Sequence, residues 1–183
     1  MKKVYIYLAE GFEEIEALAP ADILRRAGAQ VTLVSISEHT TVTGAHGIRI
    51  IADCTIESAQ DDADMIVLPG GCPGYENLAK CSSLEKTIEK MLSSKKAVAA
   101  ICGAPAAVLG EKGFLKDRRA VCYPGMENKL FCKETPDAGV CVDGNIITAK
   151  SAGYAVDFAL TLVEHLIGSS QKVEVENGIV YHG

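Results

Sequence analysis

The stretch Ala97-Val98-Ala99-Ala100-Ile101-Cys102-Gly103-Ala104-Pro105 decides how this chain is read. Five small or branched apolar residues with no polar alternation describe a strand buried on both faces. A single cysteine ends the strand. Small residues and then Pro105 follow, and proline is tolerated in the first turn of a helix. A buried strand that turns sharply into a helix is a unit of an α/β fold. The expected helix is Ala104 to Gly110.

Working outward, the same alternation recurs. Lys3 to Leu8, Gln30 to Ile36, Ile48 to Ala52, Asp64 to Leu68, Ala120 to Tyr123 and Ile146 to Ala149 read as strands. Glu13 to Ala27 carries an apolar stripe of Ile15, Leu18, Ala19, Ile23 and Leu24. Acids open it and Arg25-Arg26 close it, which suits the helix dipole. Gly28 is its expected cap and Pro20 an expected kink. Ser83 to Ser93 and Val156 to Ile167 read as further helices. Val173 to Tyr181 reads as a terminal hairpin turning at Asn177-Gly178. The expectation is one α/β domain over residues 1–183, with a mostly parallel central sheet and helices on both faces.

The bulk numbers agree with an ordinary globular chain. It has 183 residues, 48% hydrophobic and 23% charged. The formal net charge of -6 argues against nucleic acid or an anionic membrane as partner, since both need a basic footprint. Met1-Lys2-Lys3 followed by Val4 to Ala9 faintly resembles a signal peptide, but the apolar run is short and Glu10, Glu13, Glu14 and Glu16 follow at once. A cytoplasmic location is expected. Seven cysteines, an odd count without a C-x-x-C pair, argue against a disulfide framework and a zinc knuckle. No metal or cofactor is expected.

In parallel sheets, ligands bind at the carboxyl ends of strands. Three segments fall there: Glu10 to Glu16, Gly70-Gly71 and Cys102-Gly103. A thiol at a helix N-terminus is expected to ionise more easily, which would make Cys102 a nucleophile. Amides of Gly70, Gly71 and Gly103 are expected to face the same crevice and steady an oxyanion or an oxidised sulfur. Helix spacing places Glu13 with Glu16 and turns Glu14 away. Glu16, flanked by Ile15 and Ala17, is a candidate inward carboxyl that donates to sulfur or carries a proton. Cys72 follows Gly71 and is a candidate pocket residue; His46 is a weaker one, in a loop.

Ala9-Glu10-Gly11-Phe12-Glu13-Glu14-Ile15-Glu16, Leu68-Pro69-Gly70-Gly71 and Ala99 to Pro105, with Arg25-Arg26-Ala27-Gly28 and Asp157-Phe158-Ala159-Leu160, resemble the ThiJ/PfpI superfamily. The similar branch is that of the parkinsonism-associated protein deglycase and its bacterial relatives. The resemblance implies a flavodoxin-like three-layer sandwich that forms a homodimer. It implies Cys102 as the reactive cysteine, Glu16 as the acid bonded to it, and Gly71 and Gly103 as backbone donors. It implies action on small reactive carbonyl compounds, such as cofactor-free conversion of methylglyoxal to lactate or deglycation. The alternatives are an oxidant sensor or chaperone-like protein in which Cys102 becomes a sulfinic acid, and a glutamine-amidotransferase-like hydrolase. One departure stands out. Where many relatives carry a histidine before a proline, this chain has Tyr123 before Pro124. Tyrosine is neutral near pH 7 and a poor base.

Overall fold

The strand β1 (Lys3–Leu8) sets the layering. Val4, Ile6 and Leu8 join one buried cluster, while Tyr5 and Tyr7 join another on the opposite face. This period of two commits both faces of the sheet to helices. A computed structural model describes residues 1–182. In chain order β1 is followed by α1 (Glu14–Arg26), β2 (Gln30–Ser35), β3 (Thr41–Thr43), β4 (Arg49–Ile51), β5 (Cys54–Thr55) and β6 (Met65–Leu68). Then come α2 (Gly74–Lys80), α3 (Ser82–Ser93), β7 (Ala97–Ile101), β8 (Val140–Asp143), β9 (Ile146–Ala149), α4 (Ala155–Leu166) and α5 (Ser169–Gly178).

The main sheet runs β5-β2-β1-β6-β7-β9-β8, with β8 antiparallel to β9 and every other pair parallel. Ala17, Ala21 and Leu24 of α1, Phe158 and Leu162 of α4 and Val175 of α5 cover one face. Leu78 of α2 and Leu84, Ile88 and Met91 of α3 cover the other. This is the flavodoxin-like α/β sandwich. The chain leaves β1 for β2 on one side and returns to β6 on the other, so the sheet reverses its winding between β1 and β6. The crevice beyond the carboxyl ends of these strands is where such folds bind ligands. Among the described residues, no helix is long and apolar enough to cross a membrane.

Four local expectations are corrected or refined. Val173 to Tyr181 is not a hairpin: residues 169–178 form α5, and Asn177-Gly178 closes it. The alternation Val173-Glu174-Val175-Glu176 imitates a strand, but Val175 packs on the core, and Lys172 pairs with Glu176 one helical turn on and with Glu164 across on α4. Ala120 to Tyr123 is buried in its first three residues yet joins no sheet. Its amides bond instead to the Glu134 carbonyl (3.1 Å), Thr148 Oγ1 (3.0 Å) and the Cys102 carbonyl (2.8 Å). The expected helix after Cys102 is only a wide, π-type segment, Pro105–Gly110. The strand expected over Ile48 to Ala52 is β4, which pairs only with β3 in a separate two-stranded hairpin.

Candidate active site

Cys102 follows directly on β7 and adopts φ 67°, a left-handed conformation that is unusual for a residue with a side chain. Two backbone bonds hold it there. Its amide donates to the Ala149 carbonyl at 3.0 Å, and its carbonyl accepts from the Tyr123 amide at 2.8 Å. The strain is thus overcome by neighbouring β9 and by the 120–123 segment. The outcome is an elbow that presents the thiol at the carboxyl edge of the sheet.

Glu16 comes to the same place from the first turns of α1. It is 1% exposed. Its amide donates to Glu13 Oε2 at 2.7 Å, so Glu13 caps the helix. Pro20 lies inside α1 and has no amide to give the Glu16 carbonyl. The Gly70 amide donates to Glu16 Oε2 at 2.8 Å, while buried Oε1 has no hydrogen-bond partner among the described residues. Gly70 itself is wedged between the two functional groups. A Cβ there would sit 2.6 Å from Cys102 Cβ, 3.0 Å from its Sγ and 2.7 Å from Glu16 Oε2. Gly71 has φ +86°, and a Cβ there would lie 2.3 Å from the Glu13 amide nitrogen. Only glycine lets β6 end so close to both α1 and β7.

The charges of the pair are coupled. Burial pushes the Glu16 carboxyl up to about 7; the Gly70 amide opposes this and the Glu13 charge adds to it. Burial, and then the charge of Glu16, also push the Cys102 thiol up, against the pull of the Gly71 and Gly103 amides. This corrects the expectation of an easily ionised thiol. The π-type segment after Cys102 is short, and desolvation beside a carboxylate outweighs its amides. Near pH 7 the pair begins to carry one negative charge and keeps one proton between sulfur and carboxyl.

The pocket above the thiol has a volume of about 250 Å³. Gly71, Cys72, Cys102 and Gly103 form its floor and near wall, and Tyr75, Tyr123 and Met126 complete it. Cys72 and Tyr123 therefore lie at the pocket. Tyr75 and Met126 were missed by sequence reasoning, because neither belongs to a motif and both reach the site through tertiary packing. His46 does not line the pocket. Its ring Nδ1 lies 2.8 Å from Glu14 Oε2, and its amide donates to Glu14 Oε1 at 2.8 Å. Glu14 is turned from the sulfur but is itself buried, under the β3–β4 hairpin. Burial disfavours its charge, yet the His46 ring and the His46 and Ile48 amides hold its carboxyl below the usual range. Glu13, Glu14 and His46 place potential metal-ligand atoms within 4.8 Å of one another, outside the pocket. Of the other cysteines, Cys122 and Cys141 are buried and Cys54, Cys81 and Cys132 partly so.

Comparison with known proteins meets this geometry. The DJ-1/PfpI family model matches residues 2–165. Protein DJ-1 homolog B of Arabidopsis thaliana is 41% identical over 181 residues, 98% of this chain and 41% of the plant protein. The chain thus spans less than half the length of that relative. A Caenorhabditis elegans protein named glutathione-independent glyoxalase DJR-1.2 is 33% identical over 162 residues, covering 87% of this chain and 85% of its own. The solved structure of oxidized Toxoplasma gondii DJ-1 superposes with a TM-score of 0.97 at 33% identity, covering all of both chains. A buried glutamate behind a cysteine elbow, carried on a sheet of this winding, thus comes with sequence similarity along nearly the whole chain: it belongs to the DJ-1/PfpI family.

Proposed function

We propose that this protein converts small reactive 1,2-dicarbonyls, such as methylglyoxal, to hydroxy acids without a cofactor. The observation that carries the reading is the buried Glu16 carboxyl set behind Cys102 at the floor of an uncharged pocket. The name of the nematode relative, a glutathione-independent glyoxalase, supports it.

The chemistry follows from the coupled pair. Glu16, ionised above about pH 7, takes the thiol proton as Cys102 Sγ attacks the aldehyde carbon. The amides of Gly71 and Gly103 face the developing oxyanion, and Glu16 returns the proton to give a hemithioacetal. The carboxylate then takes the hydrogen of that carbon and delivers it to the adjacent one, while the hydroxyl proton passes to the neighbouring ketone oxygen. The product of this shift is a lactoyl thioester. Water releases lactate and restores the thiol. Proton and electron counts close with one water consumed per methylglyoxal. Purified protein is expected to form lactate repeatedly, and Cys102→Ser to form none.

A second reading has its own support. Amides that face an oxyanion also suit an oxidised sulfur, and the Toxoplasma gondii relative is described as oxidized. Peroxide is then expected to oxidise Cys102 ahead of the six other cysteines. Amidotransferase-like hydrolysis lacks support, since no histidine lines the pocket. Pairing with a second copy is likewise proposed. Ile15 on α1 and Ile48 and Ile51 at the β3–β4 hairpin are exposed apolar side chains that suit such a contact.

A further inference from the structure

The pocket is larger than methylglyoxal needs, and its lining is mostly apolar. Its volume of about 250 Å³ is several times the bulk of a dicarbonyl with five heavy atoms. Among the described residues, no charged side chain lines it. Its two aromatic rings come from different elements. Tyr75, from the start of α2, lies against Gly103, where a Cβ would meet the ring Cδ1 at 2.6 Å. Tyr123 stands at the mouth, 49% exposed, at the end of the unpaired 120–123 segment. Its amide is already used by the Cys102 carbonyl, so its backbone is tied to the elbow while the side chain stays half exposed. Met126 adds a polarizable thioether, a group that packs well on ring edges.

We propose that the pocket selects α-oxoaldehydes with a planar aromatic substituent, of the phenylglyoxal type, and that Tyr123 determines this preference. The inference rests on the dicarbonyl reading above. The aldehyde carbon meets Cys102 Sγ and its oxygen meets the Gly71 and Gly103 amides. The substituent then points away from the buried Glu16 and into the space between Tyr75 and Tyr123, where offset or edge-to-face packing is favourable. A methyl group in that place leaves most of the open cleft to water. The bond changes are those already given: the thiol adds to the aldehyde, hydrogen moves from one carbon to the next, and water releases the hydroxy acid, here mandelate.

The test compares kcat/KM for phenylglyoxal and methylglyoxal in the full chain, in Tyr123→Ala and in Tyr123→Phe, with Cys102→Ser as blank. Wild type is expected to favour phenylglyoxal by about tenfold or more, the size of discrimination an apolar pocket gives. Tyr123→Phe keeps that preference, and Tyr123→Ala brings it near parity, mainly through KM. The intrinsic reactivity of each aldehyde cancels when the ratio is compared between variants. Thermal melting checks the fold, which the Tyr123 amide supports whatever the side chain. Equal or better use of methylglyoxal by wild type, or an unchanged ratio in Tyr123→Ala, overturns this inference and leaves the dicarbonyl reading standing. Turnover of neither aldehyde removes both.

Discussion

The Gly70 amide donates to Glu16 Oε2 at 2.8 Å, a buried bond between residues 54 positions apart in the chain. It ties the end of β6 to α1 and sets the carboxyl beside the Cys102 thiol. A charged carboxylate in this place is costly, and burial raises Glu16 to about 7. The protein thus keeps a proton on or near the pair into the physiological range, where it can be moved.

The first consequence is a pH–rate profile. The ionised carboxylate is the base, so kcat/KM for methylglyoxal is expected to rise with pH through a midpoint near 7. Glu16→Gln should lose roughly 10²–10⁴ in rate and the limb near 7 with it. A wild-type profile that is flat or falling there contradicts the assigned role.

The second concerns stability. Glu16 is raised from 4.5 to about 7 on folding, so the folded state favours its protonated form. Stability from this group is fully present below pH 4.5 and is lost as pH rises to 7, by up to about 3 kcal/mol. Urea unfolding of wild type and Glu16→Gln across this range isolates it. The variant should gain on wild type as pH rises, and a constant difference would show that the carboxyl is not raised.

Gly70→Ala tests the wedge. The new methyl would lie 2.6 Å from Cys102 Cβ and 2.7 Å from Glu16 Oε2, so thiol and carboxyl must part. Activity is expected to fall about 10²-fold, as for small misplacements of reacting groups. Overpacking should cost roughly 1–3 kcal/mol. Full activity in a folded Gly70→Ala would mean that the close approach does not matter.

His46→Ala separates the hairpin contact from the chemistry. His46 pairs with Glu14 and does not line the pocket. The variant is expected to keep the wild-type kcat/KM and pH profile while loosening the hairpin, seen as faster amide exchange at Thr41–Thr43. Loss of turnover would place His46 in the mechanism.

Much of this was legible in the sequence. Apolar runs such as Ala97 to Ile101 mark fully buried strands, and the turn at Cys102 marks the elbow. What escaped was set by tertiary partners. Val173 to Glu176 alternates like a strand, but no sheet edge meets it and α4 does. Ala120 to Tyr123 is apolar like a strand, yet Thr148 Oγ1 and the Cys102 carbonyl claim its amides. Helical spacing indicates that Glu14 turns from Glu16, while its burial depends on the β3–β4 hairpin through His46, 32 residues away. The thiol was read from local dipoles alone. Its direction reverses because desolvation and Glu16 are long-range effects.

The most direct test of the central claim is the number of lactates formed from methylglyoxal per molecule of purified protein, in wild type, Cys102→Ser and Glu16→Gln. A Cys102–Glu16 pair that moves protons predicts many turnovers in wild type, none above background in Cys102→Ser and a large loss in Glu16→Gln. Turnover that survives Cys102→Ser, or a wild type that forms no more than one lactate per molecule, would contradict it.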